Sequence, residues 1–100
     1  MQRKVEQFVA QFGLECGAQI RFMDLVSEVG ELGKEIVKGS NYGRNPYENT
    51  LAAADEAGDC LFSLLALCAE LGIDAQTALE GALEKYRRRM EKKGDAGSGR

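Results

Sequence analysis

The segment from 51 to 71, LAAADEAGDCLFSLLALCAEL, constrains the fold more than any other part of the chain. Leu51, Leu61, Phe62, Leu64, Leu65, Leu67 and Leu71 recur through it, and alanine and cysteine fill most of the rest. At about 100° per residue, a helix of this composition is apolar around well over half its circumference. That marks a central element rather than a surface one. Its remaining strip carries Asp55, Glu56, Asp59 and Ser63. Acids in a first turn favour the helix dipole, which is the ordinary explanation of Asp55 and Glu56. Asp59 lies deeper than that effect reaches. A carboxylate on so apolar a helix needs a partner or must give up its charge.

The preceding helical segment, from about 20 to 38, supplies the partner. Leu25, Val29, Leu32 and Ile36 fall on one stripe, extended by Phe22, Val26 and Val37. Asp24, Glu28, Glu31 and Glu35 form a narrow acidic stripe beside it, offset only in part by Lys34 and Lys38. Taken alone, such a stripe is most simply a solvated face, although like charges three and four apart repel by about a few tenths of a kcal/mol per pair. The connection changes its meaning. Residues 39–49, GSNYGRNPYEN, are dense in turn formers and hold the chain's one proline, Pro46. Two helices joined by such a loop lie antiparallel. At a rise of about 1.5 Å per residue, Glu31 and Glu56 each lie roughly 10 Å from the connection, so the two acidic pairs arrive at one level. Within Glu28/Glu31 and Glu56/Asp59 the i, i+3 spacing puts both side chains on one face. Four converging carboxylates demand a cation, and hard oxygen donors make Mg²⁺ the natural one. Because bound Mg²⁺ keeps positions open for water and phosphate oxygens, the pattern points to phosphate chemistry.

The rest of the chain completes an all-α reading, with no alternating strand pattern. A first helix is expected from about 3 to 14, with Val5, Phe8, Val9 and Phe12 on one stripe, and Gly13 and Gly17 loosening the chain after it. Asn49 or Thr50 can cap the third helix and Asp74 a fourth, running to about 92. Residues 1–93 are expected to form one domain and 94–100 a disordered tail. Phe8, Phe12, Phe22 and Phe62 each lie on an apolar stripe and are expected in the core.

Composition removes several chemistries. There is no histidine, which excludes histidine acid–base catalysis, Ser-His and Cys-His nucleophiles and histidine-containing zinc sites. The formal charge of −3 argues against a nucleic-acid polymer as partner. Cys16, Cys60 and Cys68 form no CxxC pair, and the apolar neighbours of Cys60 and Cys68 predict buried thiols. The opening MQRKVE has no apolar run behind it, and no stretch is long enough to span a membrane. A cytoplasmic setting is the expectation.

Glu28-Val29-Gly30-Glu31 and Glu56-Ala57-Gly58-Asp59, separated by 24 residues, resemble the ExxE…ExxD signature of the all-α nucleoside triphosphate pyrophosphohydrolases, specifically the MazG-like branch. The flanking Asp24-Leu25-Val26-Ser27 and Ala54-Asp55 look similar too, and the likeness extends from about 5 to 89. It implies a four-helix, MazG-like bundle that assembles as a homodimer or homotetramer. It also implies Mg²⁺ held by Glu28, Glu31, Glu56 and Asp59, and hydrolysis of a (deoxy)nucleoside triphosphate to monophosphate and pyrophosphate. Glu31, Glu56 and Asp59 are then direct ligands, and Glu28 is either a ligand or the group that orients the water, so Glu28 and Glu31 are the catalytic candidates.

Candidate cations for the triphosphate are Lys85 and Arg89, one turn apart beside the stripe Leu79, Ala82, Leu83, Tyr86 and Met90, with Lys38 and Arg44 as weaker ones. Basic residues near a helix end are ordinarily just solvated. Relatives often carry an asparagine beside this lysine, where Tyr86 stands here. The loop at 39–49 is more simply a connection than a lid closing over nucleotide. Three readings remain open: house-cleaning of non-standard nucleotides, a phosphoribosyl-ATP or dUTP/dCTP-type hydrolase, and a non-catalytic helical module whose acids are merely surface.

Overall fold

The computed structural model describes residues 1–93, and the expected disordered tail at 94–100 lies outside the described residues. Four helices, α1 (Gln2–Phe12), α2 (Ala18–Gly39), α3 (Leu51–Glu70) and α4 (Ala75–Lys93), make up most of it, and no strand occurs among the described residues.

Each boundary has a local chemical cause. Gly13 takes a left-handed φ of 64°, and the Leu14 amide reaches back to the Val9 carbonyl at 2.9 Å, closing α1. Gly72 does the same for α3, with the Ile73 amide on the Cys68 carbonyl at 2.8 Å. Of the two cap candidates for α3, Thr50 does the work: its Oγ1 accepts from the Ala53 amide at 3.0 Å. Asp74 caps α4 by accepting from the Thr77 amide at 3.1 Å. Gln2 ties the start of α1 to the turn between α3 and α4. Its Nε2 donates to the Ile73 carbonyl at 2.8 Å, and its Oε1 accepts from the Ala75 amide at 2.7 Å.

The α2–α3 connection is knitted rather than loose. The Glu48 amide donates to the Gly39 carbonyl at 3.0 Å, and the Asn45 amide to the Ser40 carbonyl at 2.9 Å. Asn41, Tyr42 and Gly43 all take left-handed φ values, turning the chain sharply after α2. Tyr47 and the Glu48 carbonyl press so closely on Gly39 that a Cβ there would sit 2.5 Å from the tyrosine ring and 2.8 Å from the carbonyl oxygen. Only glycine fits.

Helices α2 and α3 pack as an antiparallel hairpin. Gly39 meets Glu48, Glu28 meets Asp59, and Arg21 meets Phe62, so residue numbers fall on one helix as they rise on the other. Helix α1 lies against α3. Val9, Ala53, Leu65 and Ala66 are buried among them, with Ser63 and Arg21 the buried polar side chains.

Three expectations are corrected here. Phe12 and Phe22 are more than half exposed and Phe8 nearly so; only Phe62 of the four aromatics is substantially covered. Cys60 and Cys68 are half-buried rather than buried. Helix α4 does not close a bundle within one chain: it is joined to the rest near its start, and none of its described residues is buried. The common cause is that one chain offers too little surface to cover every apolar stripe. The radius of gyration, 16.6 Å, exceeds the roughly 13 Å of a compact chain of this length.

Candidate metal centre

Midway along the hairpin, α2 and α3 present their polar strips to each other. Carboxylate oxygens of Glu28, Glu56 and Asp59 all lie within 4.8 Å of one another. The i, i+3 spacing on α3 aims Glu56 and Asp59 to one side, and the antiparallel register brings Glu28 of α2 to the same level. Glu31, the fourth acid of the pattern, lies outside this group of three. Its carboxylate sits 3.6 Å from Lys34 and is about half exposed, at 48%.

Electrostatics show the strain of this convergence. The carboxyl of Glu28 is raised above its ordinary value by loss of solvent, then by the charge of Asp59 and a hydrogen bond shared with it, then by Glu31 and Asp24. Glu56 is raised in the same way, by loss of solvent and by the charges of Asp59, Glu28, Glu31 and Asp55. Thus the charge of Glu31 is felt by both neighbours although its oxygens stand apart. The neighbouring Cys60 thiol is pushed up as well, by loss of solvent and then by Glu28, Glu56 and Asp59. Like charges held this close would favour a cation between them. All the site's donors are hard oxygens, which suits Mg²⁺ or a similar ion and not a thiophilic one.

Beside the acids opens a cleft of about 410 Å³, lined by Asp24, Glu28, Asp59, Phe62 and Ser63. None of the four candidate cations lines it. Lys38 pairs with Glu35 at 3.4 Å. Lys85 and Arg89 lie over the Tyr86 ring of their own helix, at 5.3 and 5.6 Å from its centre. Arg44 belongs to the knitted connection.

Arg21, which sequence reasoning passed over, is the cation that meets the cleft's lining, through Phe62. It is 6% exposed, donates from Nη2 to the Leu14 carbonyl at 2.7 Å, and stands over Phe62 with Cζ 5.8 Å from the ring centre. One signal was available. Arg21 stands three residues before Asp24 and seven before Glu28, spacings that put all three on one helix face.

With this geometry in view, comparison with known families is decisive. The MazG nucleotide pyrophosphohydrolase domain matches residues 21–93, which includes all four acids and three of the four helices. The chain belongs to the MazG family. No curated protein and no solved structure matches it. Membership makes this a nucleotide pyrophosphohydrolase domain, a hydrolase fold for phosphoric anhydrides, and the acid cluster is where a metal would be held. Among the described residues, no helix is long and apolar enough to cross a membrane.

Proposed function

We propose that this MazG chain hydrolyses (deoxy)nucleoside triphosphates to monophosphate and pyrophosphate with Mg²⁺ held by Glu28, Glu31, Glu56 and Asp59. The observation that carries the reading is the meeting of three carboxylates from two helices within 4.8 Å at the edge of an open cleft. Glu28, Glu56 and Asp59 hold the ion. Glu31, one turn along α2, completes the set or orients the attacking water, a role that Glu28 can share. When bound, Mg²⁺ supplies positive charge to the phosphate oxygens and to the departing pyrophosphate. The protein's part is to fix the acids on two packed helices, so that little reorganisation is needed when substrate arrives.

The triphosphate also calls for cations. Lys85 and Arg89 on α4, and Lys38 and Arg44 near the α2–α3 connection, are the residues offered. Because none lines the cleft of its own chain, the reading brings them to substrate through assembly, with a second copy packed on the exposed apolar faces. A homodimer or homotetramer is therefore part of the proposal. House-cleaning of non-standard nucleotides is the favoured role. Phosphoribosyl-ATP and dUTP or dCTP are the competing substrates, since the same acids would serve each.

The test is a panel of natural and modified nucleoside triphosphates incubated with Mg²⁺, with the released phosphate species separated. Pyrophosphate and a nucleoside monophosphate are expected. Release of orthophosphate, or no turnover of any nucleotide together with no thermal stabilisation by Mg²⁺, would leave a helical interaction module in its place.

A further inference from the structure

Among the described residues, Arg21 is the one charged side chain that is buried. Its bonding is incomplete. Nη2 donates to the Leu14 carbonyl at 2.7 Å, Nη1 stands 3.7 Å from Asp24 Oδ2, too far for a hydrogen bond, and Nε has no partner. A buried guanidinium with idle donors is a poor way to stabilise a fold, since an apolar side chain of similar volume would do as well or better. Its position suggests a different use. The guanidinium stands over the ring of Phe62, and the Phe8 ring meets the same ring edge-on at 6.1 Å and 89°. Phe62 is thus held from α2 and from α1 at once, while it lines the cleft beside the acids.

The lining of that cleft is otherwise the three carboxylates of Asp24, Glu28 and Asp59, and Ser63. Phosphates can approach those groups only with metal. Phe62 alone offers an apolar, flat surface to the uncharged part of a ligand.

We propose that Arg21 is a positioning residue that fixes the Phe62 ring as the wall of the acidic cleft against which the base or sugar of the nucleotide packs. This rests on the nucleotide reading above and adds to it the surface that recognises the nucleoside portion. Arginine suits the task because its planar group can lie on a ring while one nitrogen anchors the Leu14 carbonyl; lysine, a point charge, cannot do both.

Binding measurements with three probes test this: Mg²⁺ alone, inorganic tripolyphosphate with Mg²⁺, and an α,β-methylene nucleoside triphosphate with Mg²⁺. Arg21→Met is expected to loosen the methylene analogue about tenfold, the scale of losing one aromatic–base contact. The Mg²⁺ midpoint and tripolyphosphate affinity should stay within about twofold, because neither probe touches Phe62. In turnover, KM should rise with kcat little changed. Phe62→Leu, which leaves the Leu14 anchor intact, should reproduce the effect, and Arg21→Lys should fall between. The double variant should be no worse than either single one, since both act through one ring.

Equal loosening of tripolyphosphate, additive losses in the double variant, or unchanged analogue binding would each overturn the inference. A wild-type chain that binds tripolyphosphate as well as the analogue would overturn it too, while leaving the phosphate chemistry standing. If the wild type binds neither, the proposed function falls and this inference with it.

Discussion

Glu56 stands on a helix whose other faces are apolar, with Asp59, Glu28, Glu31 and Asp55 all adding to the pressure on its charge. Its carboxyl is raised in the folded protein, so as pH rises above the ordinary glutamate range its charge works against folding unless a cation is present. Glu56→Gln removes that charge and keeps the shape. In chelator at neutral pH the variant should melt higher than the wild type. In Mg²⁺ the order should reverse, because the metal-induced rise is lost, and turnover should fall by about 10²-fold or more. Melting curves with and without Mg²⁺ check both signs, and a variant that melts lower than the wild type in chelator would mean the cluster carries no unfavourable charge. The acids themselves were legible in the sequence because helical periodicity fixes which faces i and i+3 share. Arg21 was not, because its burial depends on the path of residues 13–17, which brings the Leu14 carbonyl over it. Nor was the rotation of Glu31 toward Lys34, a choice between neighbours on one helix face that spacing alone leaves open.

Helix existence and most boundaries followed from patterns a reader can see: glycines at 13 and 72, a threonine at 50, an aspartate at 74. The register of α2 on α3 was also accessible, since a connection of known length between two helices sets their levels. What the pattern could not supply was the tight packing of the 40–50 connection, which depends on three successive left-handed residues and on Tyr47 lying against Gly39. Among the caps, Asp74 gives a test with a defined sign. Its carboxyl is held below the ordinary value near 3.8, first by the Thr77 hydroxyl and then by the Thr77 amide. A depressed folded value means that the unfolded chain takes up the proton first as pH falls. The contribution of Asp74 is therefore fully present above its unfolded value and fades as pH drops through 3.8 toward the folded value. Asp74→Ala should lower the melting temperature at pH 6, and the gap to the wild type should close below the ordinary aspartate range. A gap that persists unchanged at pH 3 would show that the carboxylate is not what holds the start of α4.

The chain as a whole exposes more than a compact monomer should. Its accessible surface is 7339 Å², against about 5,600 Å² for a folded single chain of this mass. The excess, about 1,700 Å² per chain, doubles to about 3,400 Å² for a pair, within the range of obligate homodimers. Exposed apolar side chains occur on all four helices. Leu79 and Leu83 on α4 are 52% and 57% exposed, and Phe22 and Val29 on α2 are 51% and 54%. On α4 the apolar positions 79, 83, 86 and 90 recur at helical spacing, forming one stripe whose members are all exposed. Such a stripe on a helix tied down only near its first turn is the surface most in need of a second copy. Sedimentation at micromolar concentration should therefore give a dimer or tetramer, and Leu83→Asp, which places a charge in the middle of the stripe, should shift the distribution to smaller species or to precipitate. Because α4 also carries Lys85 and Arg89, the same variant should raise KM for nucleoside triphosphates while the Mg²⁺ midpoint set by the α2–α3 acids holds. A wild type that sediments as a monomer would refute the assembly, and an unaltered oligomer in Leu83→Asp would move the interface away from α4 to the exposed apolar face of α2.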